Sequence, residues 1–515
     1  MKKKVIVMLI LIILLGLFLR FYSIDKESFW IDEGATALAM KRYDRTEIFK
    51  NIYFHGSVLP DIYPPSGELV GYYFVLSYWT QLFGVSETSL RSFSAFFDIF
   101  TLIFIFLLAK KLFGEKVALL SAFLYSFSIP AIELSQEARS YTMLSFFAIG
   151  SMYYLVSALE NNKSIYWILY GSFSLLGLYA SYLYELIMIF QVFYMSIYLI
   201  SYKKYNIITI ISNLFKNKLL RKIFITFIVI LVISSPLIPR TFRTENIELW
   251  WKKPTLETTT KVFINFATWI YPPDASRELI KKGKFFELDF SDKILFSSAI
   301  ITALSAYLLI FYFFFEEIRT SRLKSFLSKE KNVIFVVMWF IFPVLITYVI
   351  SQVTTIHLFG AFRWLFYCLP AFVILMALGM SQLKPSYFKV FIVVFILINI
   401  TPLYAYYVNS DKQQWREAAQ YLKNKVRNDE AIIISRYSGE AAFRYYYGES
   451  DDIPDTRRLN QEIKEIIDNK DSLWLILPFL KYFDPEDTLH YYVSQNYYIL
   501  EKRNFFDIEV YHYKR

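Results

Sequence analysis

The sequence has one cysteine, Cys368, so neither an internal disulfide nor a cysteine-based metal site can form. Histidine is nearly as scarce, four in 515 residues, and His55 and His357 stand isolated, without the spacing of paired metal ligands. Charged residues make up only 19% of the chain, below the roughly 25% of an ordinary soluble domain. There is no internal repeat and no low-complexity stretch. A lysine run, Lys2 to Lys4, precedes the first apolar segment, but no small-residue cleavage site follows it. That pattern predicts an uncleaved anchor rather than a removed signal.

What is abundant is apolar and aromatic surface: 56% hydrophobic residues, 51 Phe and 41 Tyr. Apolar runs near 5–22, 92–109, 116–134, 140–159, 164–181, 182–202, 221–239, 293–315, 333–351, 363–380 and 387–407 approach or reach the roughly 20 residues that cross a bilayer as helix. Inside hydrocarbon each must close its own backbone hydrogen bonds. The expected fold class is therefore a mainly α, polytopic membrane protein of about eleven transmembrane helices.

With the N-terminus inside, the short inner loops collect Lys110, Lys111, Lys116, Lys203, Lys204, Arg221, Lys222, Arg319, Arg322, Lys384 and Lys389. Few acids oppose them, mainly Glu115, Glu160, Glu316, Glu317 and Glu330. The positive-inside rule then puts loops 23–91 and 241–292, and everything after residue 407, outside the cell membrane. Much of the net charge of +10 lies in these inner loops, facing anionic membrane lipid, and calls for no nucleic-acid partner.

The chain is read as two domains: 1–407, membrane-embedded with long outer loops, and 408–515, a small α/β domain. In the second, Asp411 to Lys425 is amphipathic, with Trp415, Ala418, Ala419 and Leu422 on one face. Further helices fit 438–447, 459–468 and 484–495, and strands fit 431–435, 472–477, 497–501 and 507–513. In the first outer loop, Asp32 or Glu33 opens a helix running to about Tyr43, and Gly71 to Phe83 reads as an apolar-aromatic helix lying along the outer interface.

Polar residues gather at the outer ends of the spans: Asp32 and Glu33 after Trp30, Gln136, Glu137 and Arg139 between the third and fourth runs, and Arg363 at the start of the tenth. Two carboxylate-bearing loops with two arginines suit the headgroup of an anionic lipid. Simpler roles suit each residue alone: a helix cap for Asp32 or Glu33, an interfacial pair or snorkelling for Glu137 and Arg139, an anchor for Arg363. Asp98 and Glu185 fall in or near spans, where helix–helix hydrogen bonding is the expected role. Trp250 and Trp251 read as an interfacial aromatic anchor.

The order of these features resembles the GT-C glycosyltransferases, in the branch of protein O-mannosyltransferases and aminoarabinose transferases. Phe29-Trp30-Ile31-Asp32-Glu33-Gly34 is similar to that group's acidic first-loop signature, and Tyr63-Pro64-Pro65 with Tyr72-Tyr73-Phe74 to its Pro-Pro and Tyr-Tyr helix. Leu82-Phe83-Gly84 and Ser89-Leu90-Arg91 lead into the second span. Ser135-Gln136-Glu137-Ala138-Arg139-Ser140-Tyr141 looks like the second-loop motif, and Phe362-Arg363-Trp364 through Leu369-Pro370 like a late Arg-Tyr to Leu-Pro segment.

The resemblance implies transfer of a monosaccharide from a polyprenyl-phosphate carrier to a protein, lipid or glycan acceptor on the outer face, with inversion. It assigns the base to Asp32 and the orientation of donor or acceptor to Glu33 and Glu137. Arg139 and Arg363 become the donor-phosphate ligands, and Glu137 the candidate ligand where such enzymes use a divalent metal. No Asp-x-Asp occurs in the C-terminal domain to hold a nucleotide-sugar diphosphate, and no Trp-Trp-Asp-Tyr-Gly marks an oligosaccharyltransferase. A transporter or flippase for a lipid-linked saccharide is the competing class. Such proteins commonly place polar sites at mid-membrane in repeated halves, and no halves are visible here.

Overall fold

A computed structural model describes residues 3–63, 69–206, 210, 212–237, 253–269, 279–280, 283–320, 331–354, 358–409, 412–434, 439–448, 461–478 and 488–515. Pro64, Pro65, Trp250, Trp251, His357 and residues 241–252, 270–278 and 281–282 of loop 241–292 lie outside the described residues.

The chain folds as two compact units. The first comprises Met1–Tyr22, Ser92–Gln136 and Ser140–Asn409. The second comprises Ser23–Arg91, Glu137–Arg139 and Ser410–Arg515, so the loop 23–91 folds with the C-terminal residues.

In the first unit every apolar run is helical. Among the described residues nine helices are long and apolar enough to cross a membrane, ten if one bent pair counts as a single span. The helix Ser164–Ala180 has only 17 residues, about 25 Å of rise against a hydrocarbon core of about 30 Å. The bent pair is Glu115–Ser126 with Ile129–Ser135, turned by 60°.

The bend has a chemical cause. Pro130 stands in the first turn of the second half and has no N–H to give to the carbonyl of Ser126. Arg20 supplies what is missing, from the end of α1 (Lys3–Phe21). Its guanidinium donates to the carbonyls of Ser126 at 3.1 Å and Tyr125 at 3.2 Å. The same guanidinium pairs with Asp98 at 2.5 Å, and Asp98 also accepts the Tyr125 hydroxyl at 2.5 Å. Arg20 and Asp98 are completely buried. Asp98 thus makes the expected helix–helix bonds, with a partner that was not anticipated. Each buried charge is matched, as an apolar interior requires.

The second unit holds α2 (Ile31–Arg42), α3 (Arg45–Lys50) and α4 (Val70–Phe83), together with the first residues of α5 (Glu87–Phe113). Its sheet comprises β1 (Ala431–Ile434), β2 (Ser472–Pro478), β3 (Tyr498–Phe505) and β4 (Ile508–Lys514), in the order β1-β2-β4-β3. β1 and β2 are parallel, and the other pairings are antiparallel.

Alternation along β1 and β2 divides the core between the two faces of the sheet. Ile432, Ile434, Trp474 and Ile476 pack with Trp415, Leu422 and Phe443. Ile433, Leu473 and Leu475 pack with Ile463, Ile467 and Val493 on the other side. Helices Trp415–Lys423 and Glu440–Tyr447 cover the first face, and Gln461–Asp468 and Thr488–Asn496 the second. This is the expected small α/β fold, each element within a few residues of its expected position.

Candidate functional site

Helix α2 starts one residue earlier than the acidic pair, with Trp30 at the cap position. Asp32 and Glu33 therefore lie in its first turn, where unpaired N–H groups and the helix dipole favour negative charge. Consecutive helical residues point about 100° apart, and here the two carboxylates meet opposite surroundings.

Glu33 is fully buried. Arg91 grips it with a two-point fork, Nε to Oε1 at 2.9 Å and Nη2 to Oε2 at 2.8 Å. Lys412 Nζ reaches Oε2 at 3.1 Å, and the N–H of Ala138 donates to Oε1 at 2.8 Å. The Trp30 N–H donates to Oε2 at 3.4 Å, tying the helix start to the same carboxylate. Burial alone would raise the pKa of Glu33. The charges of Arg91 and Lys412, with the N–H donors, outweigh it and hold the group at about 2.

Arg91 is itself only 2% exposed. It also donates to the carbonyls of Ile24 at 2.9 Å, Glu27 at 2.8 Å and Ser28 at 3.0 Å, with the Phe29 ring 5.3 Å from its guanidinium. It therefore pins the 24–28 stretch and the start of α2 to one point.

Asp32 is half-buried, and among the described residues its carboxylate has no hydrogen-bond or ion-pair partner. Only its backbone carbonyl is used, by the Thr36 hydroxyl at 3.2 Å. The cap role considered for Asp32 belongs instead to the residues around it.

The Ala138 bond brings the second-loop motif to α2. Glu137 is buried, and Arg139 Nη1 lies 3.3 Å from the Tyr73 hydroxyl on α4. Tyr72 and Tyr73 are buried next to each other, ring centroids 5.2 Å apart. Asp32, Glu33, Glu137 and Arg139 thus share one unit. Arg363 lies in the other, half-buried on a 3-10 turn, Phe362–Cys368, that leads into the helix opened by Leu369 and Pro370.

Among the described residues no three or more His, Cys, Asp or Glu side chains converge as metal ligands. The oxygens of Glu33 are taken by two cations and an N–H group, a poor donor set for a metal.

Sequence reasoning missed Arg91 and Lys412 as partners of Glu33. Arg91 had a signal: it is a cation at the end of a span that the charge bias of the loops assigns to the outer side, where cations are disfavoured. Lys412 is 379 residues from Glu33 and had none.

The acidic first-loop pair thus stands at a helix start, in a chain of apolar helices with a four-stranded C-terminal sheet. Among solved structures, ArnT from Cupriavidus metallidurans in the apo state superposes with a TM-score of 0.61, at 11% identity over 98% of this chain and 97% of that one. Its undecaprenyl-phosphate-bound form gives a TM-score of 0.56. The archaeal oligosaccharyltransferase AglB from Archaeoglobus fulgidus, in complex with an inhibitory peptide and a dolichol-phosphate, gives 0.53 at 12% identity, covering 93% of this chain and 70% of AglB.

In sequence, residues 69–239 match the family described as dolichyl-phosphate-mannose-protein mannosyltransferase. An uncharacterized protein of Aquifex aeolicus (strain VF5) is 27% identical over 171 residues, 33% of this chain. The matched stretch spans 32% of that relative's length. The chain has the GT-C fold of the ArnT and protein mannosyltransferase type, as its motifs implied.

Proposed function

We propose that this protein is an integral membrane glycosyltransferase that moves a monosaccharide from a polyprenyl-phosphate carrier to an acceptor hydroxyl of a protein, lipid or glycan outside the membrane, with Asp32 as the base. The observation that carries the reading is the contrast between two adjacent acids. Glu33 is saturated by its partners, while the Asp32 carboxylate has no partner among the described residues and sits at a helix start.

Asp32 takes the acceptor proton as the acceptor oxygen bonds to the anomeric carbon. The bond from that carbon to the phosphate oxygen breaks, and the lipid phosphate departs with the electron pair. A phosphate is a stable leaving anion, so no strong acid is needed, unlike the carboxylate pair of a glycosidase. One displacement inverts the anomeric centre. Arg139 and Arg363 are assigned to the phosphate, whose paired oxygens suit guanidinium geometry. Glu33 and Glu137 support the site by orientation. Carrier-bound forms of ArnT and AglB support this donor class at the level of the shared fold. The bias of lysine and arginine along the loops supports an outer site.

The test is reconstitution in vesicles with purified polyprenyl-phosphate sugar or nucleotide sugar, each supplied alone. Transfer is expected from the lipid-linked donor only. Asp32→Asn should lower turnover by roughly a hundred-fold or more with little change in donor affinity, and Arg363→Ala should nearly abolish transfer. Efficient transfer from a nucleotide sugar, undiminished in Arg363→Ala, would overturn the donor assignment. Near-normal turnover in Asp32→Asn would return that residue to a structural role.

A further inference from the structure

The C-terminal residues bracket α2 along its length. At its start, the Gln413 carbonyl accepts the Ser28 hydroxyl, and the Tyr446 hydroxyl accepts the Phe29 N–H at 2.7 Å. Tyr446 in turn donates to Glu87 at 2.6 Å. In the first turn of α2, Gly34 lies so close to Ala442 that an added Cβ would meet the Ala442 Cβ at 2.4 Å. At its far end, Lys41 donates to the Tyr445 carbonyl at 3.3 Å.

Within this frame Lys412 is more than Glu33 needs for charge balance. Arg91 alone neutralises Glu33 and gives each of its oxygens one hydrogen bond through two parallel bonds. A second cation, 12% exposed, has been drawn from water to the same carboxylate. That desolvation is costly unless the contact does something further. Lys412 stands at the entry to the C-terminal fold, three residues before the helix Trp415–Lys423. It is therefore the charged link between that fold and the turn that carries Asp32.

We propose that the C-terminal domain is a positioning element of the transfer site, acting through Lys412 on Glu33 to set the first turn of α2. The proposal rests on the reading of Asp32 as the base, and two independent readouts separate its failure from a failure of that reading. Lys412→Met keeps the aliphatic stem and removes the charge. Hydrogen exchange in peptides covering Ile31–Arg42 should quicken in this variant, while the membrane helices exchange as in the native protein. Turnover should fall roughly ten- to a hundred-fold, the loss expected when a reacting group is displaced by about an ångström, with the KM for the polyprenyl-phosphate donor unchanged. Lys412→Arg, which keeps the charge, should recover most of both effects.

Native exchange and native turnover in Lys412→Met would overturn the proposal. So would a raised donor KM with unchanged exchange and kcat, which would make Lys412 a donor ligand. If the native protein transfers sugar from no polyprenyl-phosphate donor, the exchange measurement alone decides the positioning role.

Discussion

Replacing Glu33 with glutamine preserves the side chain's shape and removes its charge, which makes the cost of the buried cluster measurable. The new amide can accept one Arg91 bond, but its NH2 group must face a second donor from Arg91 or Lys412. Two cations, 2% and 12% exposed, lose their counter-charge. Breaking one side of a buried pair costs about 3–5 kcal/mol. A separate route gives a similar figure. A carboxyl that titrates at 4.5 when unfolded and at about 2 when folded adds about 3 kcal/mol at neutral pH. Because the folded pKa is depressed, this contribution is complete above about pH 4.5 and is lost as the pH falls from there towards 2.

Unfolding of a membrane protein is rarely reversible, so the useful measure is an apparent melting midpoint in nanodiscs at one fixed scan rate. Glu33→Gln should melt several degrees lower than the native protein at pH 7, and the gap should narrow as the pH falls from 5 to 3. Glu430 shares this acid window. Burial would raise its pKa, but the Arg427 N–H, Trp474, Ser472 and His512 hold it at about 2. It is present in both proteins and cancels in the difference. Equal midpoints at pH 7, or a gap that does not change with acid, would refute the assignment of Glu33 as a buried, ionised keystone.

Gly34→Ala should loosen the C-terminal helix Glu440–Tyr447 from α2, at about 1–3 kcal/mol for an overpacked contact. Faster hydrogen exchange in both helices is the readout, and Ala442→Gly in the same chain should not restore it, because the added Cβ also meets the Ala442 backbone, Cα at 2.5 Å and N at 2.7 Å. If the positive-inside bias sets the orientation, Asn428→Cys, on an exposed turn of the C-terminal domain, reacts with an impermeant maleimide in intact cells in a Cys368→Ser background. Labelling only after lysis would overturn the inner N-terminus.

What could be read in the sequence was local. Apolar runs and the two-residue alternation of β1 and β2 depend on neighbours a few positions away, so helices and strands fall close to where they were expected. The third run, read as continuous over 116–134, breaks between Ser126 and Ile129, just ahead of Pro130, because apolar character carries no record of a missing N–H. Its repair by Arg20 joins residues 106 positions apart. The candidate site shows the same boundary more sharply. Asp32 and Glu33 are adjacent acids of the same charge in the same helical turn, and nothing local separates a buried carboxylate from a half-exposed one. The separation comes from Arg91, 58 positions along the chain from Glu33, and Lys412, 379 positions along. Both converge on the side of α2 that Glu33 faces, while Asp32, one step of the helix away, keeps its carboxylate clear of them. A motif can therefore locate the acidic pair, but only the folded chain decides which of the two is gripped by cations.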